Sequence, residues 1–184
     1  MTKSISRLAK YTSIFAGILL ICAHALNVGS GEFGSIIGHL LVFIAHLLLV
    51  FAFFGLYFYQ GEKNGILGLL AMLLGNIGNI IVTAIVYVEI AQAYLKKALP
   101  VNNVPVNEPI SMFGPLLFVL GMILLGISII RGKVLPASSG YLLLIGTIVF
   151  AAASVMGQYQ AAVEVIGAIL TGAGLILGGI KIRY

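Results

Sequence analysis

From Gly38 to Gln60 the chain is an unbroken apolar and aromatic run, interrupted only by His39, His46 and a few tyrosines and glycines. A helix that crosses hydrocarbon needs roughly 20 predominantly apolar residues, with every backbone polar group satisfied inside the segment. The run meets that length. Its aromatic residues Phe51, Phe53, Phe54, Tyr57, Phe58 and Tyr59 spread widely around a helical wheel, as lipid contact requires and a cofactor box does not.

The rest of the chain follows the same rule. With 61% hydrophobic residues, 8% charged residues and a mean hydropathy of +1.17 over 184 positions, nearly the whole length divides into such segments. The pattern predicts an all-α polytopic membrane protein, residues 1–184 forming one transmembrane domain. Its six helices are expected at about 10–27, 34–59, 65–95, 110–130, 138–156 and 161–180, with a long outer loop at 96–109 that carries Pro100, Pro105 and Pro109. The basic head (Lys3, Arg7, Lys10), its apolar run and the Ala23-His24-Ala25 tripeptide imitate a secretory signal peptide, here read as a retained first helix. The single cysteine, Cys22, excludes an intrachain disulfide.

Lys and Arg collect in cytoplasmic loops. If the N-terminus is inside, Lys3, Arg7, Lys10, Lys63, Arg131, Lys133, Lys181 and Arg183 lie inside and only Lys96 and Lys97 outside. Both termini are therefore expected in the cytoplasm and the protein in a plasma (inner) membrane, where the +5 formal charge reflects topology rather than an anionic partner. Nucleic acid has no surface on which to bind.

Gly55-Leu-Tyr57-Phe-Tyr-Gln60, Gly65-Ile-Leu-Gly68-Leu and Tyr87-Val-Glu89 resemble a group of bacterial six-helix integral membrane proteins without an assigned activity. The resemblance covers helices two and three and implies a small bacterial-type membrane protein.

Polar groups inside hydrocarbon are costly and are the first places to look for function. His39 and His46 share a face of helix two, about 10 Å apart along its axis at 1.5 Å per residue; His24 lies at a depth between them on helix one. Imidazoles on neighbouring helices can ligate haem b or another metal, so His24, His39 and His46 are the candidate ligands, with a bound quinone as a variant. Seven residues on one helix are too far apart for one ion and rather close for two stacked haems. The simpler reading has each histidine hydrogen-bonded across a helix interface.

Helix three carries a polar stripe: Asn76, Asn79, Thr83, Tyr87 and Tyr94 fall within about 80° on a wheel. With His46 level with Asn76 and Asn79, the stripe is read as a ligand-binding pocket between helices two and three, formed by His46, Asn76, Asn79, Thr83 and Tyr87. Glu89 falls on the opposite face and is expected at the interface in solvent. Gly167, Thr171, Gly174 and Gly178 form a small-residue ridge on helix six, for packing within the bundle, against a membrane-protein partner or in a homo-oligomer.

No Walker loop, dinucleotide glycine pattern, zinc-type cluster or serine–histidine–acid set is present, and Asp is absent altogether, which argues against an enzyme. Three functional expectations follow: binding or passage of a small solute in a mid-membrane polar pocket, an accessory or scaffolding subunit of a larger membrane complex, or a haem b- or quinone-binding redox subunit.

Overall fold

The computed structural model describes residues 2–183, apart from the side chains of Asn102 and Asn103. The described residues form six α-helices and no strand: α1 (Lys3–Asn27), α2 (Ile36–Gln60), α3 (Gly65–Leu95), α4 (Asn107–Gly132), α5 (Ala137–Ala152) and α6 (Gln160–Lys181). Five stretches are long and apolar enough to cross a membrane, by length and composition; one of them, Ile36–Leu95, contains both α2 and α3.

Local chemistry explains where the helices start and stop. Ser35 Oγ accepts the Gly38 N–H at 3.2 Å, satisfying one of the free donors of the first turn of α2. The α2–α3 hairpin turns through residues 61–64, flanked by Gly61 and Gly65 at φ +58° and +55°, a conformation open to glycine at little cost. Asn64 closes this turn by donating its amide to the carbonyls of Tyr57 and Gly61, and Ser128 of α4 donates to Asn64 Oδ1 at 3.2 Å. α1 begins earlier than the apolar pattern suggests, at Lys3, because Thr2 caps it through the Ile5 N–H. α5 is shorter than expected, giving way to 3₁₀ turns at Ala153–Val155 and Gly157–Tyr159.

Each helix packs against its neighbours in sequence, and α6 returns to α1, so the helices close a ring. Every neighbour pair is antiparallel. The notional Cβ of Gly55 meets Ala9 and that of Gly38 meets Ala23 between α1 and α2, while Gly78 meets Phe118 and Gly114 meets Ile81 between α3 and α4. Small residues set the approach. At Gly17 a Cβ would lie 2.5 Å from the Gly172 carbonyl oxygen, so α1 and α6 touch backbone to backbone. Gly121 meets Gly75 in the same way between α4 and α3.

Both chain ends share one end of the ring with the 61–64 turn, where the Arg183 N–H donates to the Tyr59 hydroxyl at 3.2 Å. We call this the terminal end and its opposite the far end. The terminal half is packed solid by Leu49, Phe53 and Leu56 of α2, Met122, Leu125 and Ile129 of α4, Leu143 of α5 and Leu175 of α6. Ala23, Val42 and Val86 form only a small cluster in the far half. The outward faces remain apolar, with Ile80 61% and Phe15 54% exposed, an exterior suited to lipid and not to water.

The ridge on α6 is used inside the bundle. Gly167 lies against Phe150, Thr171 against Gly146, Gly174 against Leu143 and Gly178 against Ser139, all on α5. Ser139 Oγ adds a 2.7 Å hydrogen bond to the Gly174 carbonyl. Packing within the bundle, one of the uses expected of this ridge, is the one seen here.

Candidate functional site

Where the core thins, the ring encloses a cavity of about 230 Å³. All six helices line it: Leu20 and His24, Val42 and His46, Val82, Ile85, Val86 and Glu89, Pro115, Phe118 and Val119, Thr147 and Phe150, and Ala168 and Thr171. On α3 the lining residues are spaced three, one and three apart, which is the inward face of a helix.

The polar groups at its deep end are well placed. His46 is buried, and its Nδ1 lies 2.7 Å from Asn79 Oδ1. An amide oxygen only accepts, so the ring proton is on Nδ1, and Nε2 keeps a lone pair for another donor. The Phe118 ring packs edge-on against the imidazole at 4.9 Å between centroids and holds its plane. Thr147 and Thr171, 4% and 6% exposed, line the same cavity, and neither hydroxyl has a hydrogen-bond partner. The contrast with Thr12 and Thr83 is informative. Those hydroxyls donate to the carbonyls four residues back, Leu8 and Asn79, at 2.7 Å each. A buried hydroxyl without a partner costs about 1–3 kcal/mol, and these two are closed off between helices, the Thr171 hydroxyl against Gly146, so His46 Nε2 is the polar atom left to a ligand at the deep end.

The far end of the cavity opens toward a polar vestibule of about 500 Å³, bordered by Glu32, Phe33, His39, Glu89, Gln92, Gln158, Gln160 and Glu164. Two histidine–carboxylate pairs stand there. His39 Nδ1 is 3.4 Å from Glu89 Oε2, and its Nε2 is 3.0 Å from the Phe33 carbonyl, which fixes the ring. His24 Nδ1 is 3.8 Å from Glu164 Oε2, its ring edge-on to Phe150 at 4.8 Å. Gln160 donates to the other Glu164 oxygen at 2.8 Å. A third space, between α3, α4 and the 101–112 segment, also reaches Glu89. This one carboxylate borders all three.

The residues expected to form a pocket divide. His46 lines the cavity. Asn79 stands behind it and orients it, and Thr83 donates back to the Asn79 backbone. Asn76 is buried with its amide unpaired and does not border the cavity. Tyr87 is 68% exposed and Tyr94 faces outward likewise, so the stripe on α3 turns from the bundle interior to the exterior instead of lining one path. Glu89 keeps 42% of its side chain exposed, as expected of an interfacial carboxylate, and it also pairs with His39.

Sequence reasoning singles out neither Thr147 nor Phe118, and it places Thr171 only in the packing ridge and Glu89 only at the interface. One signal was present for Glu89. A tight turn at 61–64 fixes the register of α2 against α3, and the register that sets His46 beside Asn79 sets His39 beside Glu89.

The histidines do not converge. His39 belongs to the vestibule, while His24 and His46 border the cavity. Among the described residues no three His, Cys, Asp or Glu side chains form a metal-binding group. A space of about 230 Å³ is too small for a porphyrin and has room only for a small solute. The donor geometry does not fit haem b.

No protein-family model, no curated protein and no solved structure matches the chain. The resemblance carried by Gly55–Gln60 therefore brings no family assignment.

Proposed function

We propose that the protein is a membrane-embedded binding protein for a small, mainly apolar solute, held at mid-membrane inside the helix ring. The observation that carries this reading is the cavity lined by all six helices, apolar on its walls, with His46 and its free Nε2 acceptor at its deep end. Sites of this kind are mostly apolar with a few polar groups that fix orientation. The packed terminal half below it closes the route, so this conformation binds; passage to the other side requires that plug of Leu49, Phe53, Met122 and Leu125 to open.

We further propose that the chain crosses a bacterial-type plasma membrane six times, α2 and α3 as separate spans, with both termini cytoplasmic. Eight of its ten Lys and Arg residues belong to the terminal end, and cytoplasmic ends collect such residues. The cavity then opens outward.

The test is to fill the cavity. Ala168 is buried on its wall, and Ala168→Phe places a ring where the solute would sit. Solute extracted with the native protein, detected by mass spectrometry of the purified sample, disappears in this variant while the helical circular dichroism is kept. Equal solute in both samples contradicts the reading.

A further inference from the structure

Resting on that reading, we infer that the solute is a small neutral alcohol whose hydroxyl donates its proton to His46 Nε2. The Nδ1 proton of that imidazole goes to Asn79 Oδ1, so Nε2 is left as an acceptor. Among the described residues nothing donates to it, and unlike the hydroxyls of Thr147 and Thr171 it is open to the cavity. The Asn79 amide nitrogen is closed off as well, so no donor of the protein competes for that lone pair. A buried acceptor among apolar walls is satisfied only by a donor that comes in with the ligand. The charge balance then excludes an ion. Both ring nitrogens of His39 face acceptors, Glu89 Oε2 and the Phe33 carbonyl, so the ring carries two protons. Its positive charge answers Glu89, the one carboxylate that lines the cavity. A charged solute would lie among Leu20, Val42, Val82 and Phe118 without a counter-ion, which costs far more than burying a neutral one.

The volume sets the ligand's size. A dry apolar cavity of about 150 Å³ takes a benzene ring. A space of about 230 Å³ therefore takes one ring, or a chain of similar bulk, together with its hydroxyl. The Phe118 ring holds the plane of the imidazole, and with it the line along which the O–H must approach.

Three compounds of one size separate the donor from the fit: cyclohexanol donates, cyclohexanone only accepts, and methylcyclohexane does neither. Each is titrated calorimetrically into the full chain in lipid nanodiscs, against empty nanodiscs, with affinities referred to solute already in the bilayer. Cyclohexanol should bind about tenfold tighter than either of the others, the difference that one hydrogen bond to a buried acceptor makes. It should also move the His46 Nε2 resonance, in nitrogen NMR of histidine-labelled protein, in the direction of an accepted hydrogen bond; the other two should not. In the double variant His46→Leu with Asn79→Leu the three compounds should bind alike, and in Ala168→Phe none should bind. Equal binding of all three to the native chain, or tightest binding of cyclohexanone, overturns the donor requirement and leaves the cavity reading standing. Failure of all three to bind, or binding that survives Ala168→Phe, overturns both.

Discussion

His46 on α2 donates its Nδ1 proton to Asn79 Oδ1 on α3 across 2.7 Å, and this bond is where the solid half of the ring meets its cavity. It turns a costly buried imidazole into an oriented acceptor. Removing either partner strands the other. His46→Leu and Asn79→Leu should each lower the unfolding midpoint in detergent. The double variant should recover part of the loss, with a coupling of about 0.6–2 kcal/mol in a double-mutant cycle.

Ring closure depends on backbone contact between Gly17 and Gly172. Gly17→Leu forces a side chain into a gap where even a Cβ lies 2.5 Å from a carbonyl oxygen. It should destabilise the bundle by about 1–3 kcal/mol or more. Phe15→Leu, on the exposed face two residues away, should change the midpoint by less than about 0.5 kcal/mol. The same thermal melts report both.

These two contacts show unequal legibility. That the chain is helical and apolar throughout was plain from Gly38–Gln60 and its counterparts, because the demand for internally satisfied backbone leaves few alternatives. Where an inward face lies was not. Tyr87 and Asn79 stand about 80° apart on a wheel, the full width of the stripe, and the neighbours that turn one outward and the other inward come from α2 and α4. Thr147 and Thr171 look like ordinary small residues in sequence. Only the closed ring brings α5 and α6 to the wall opposite His46.

Gln60 is 2% exposed, and neither amide atom has a partner. An unpaired buried amide costs about 1–3 kcal/mol. Gln60→Met keeps the length and removes the polar atoms, so it should raise the unfolding midpoint. A fall would show that the amide holds a water or a partner chain there.

Sidedness is tested by cysteine labelling in a Cys22→Ser background. Ser30 at the far end and Ser138 at the terminal end are both exposed. Ser30→Cys should react with a membrane-impermeant maleimide added to intact cells, and Ser138→Cys only after the cells are opened. The reverse pattern would place the termini outside.

The central claim is that the cavity beside His46, Thr147 and Thr171 holds a solute, and an experimental density map of the protein extracted from its native membrane tests it most directly. The account predicts elongated non-protein density inside the ring, one end within hydrogen-bond reach of His46 Nε2 and the other toward Glu89. A map in which the far half closes on itself and no density lies between the helices would contradict it.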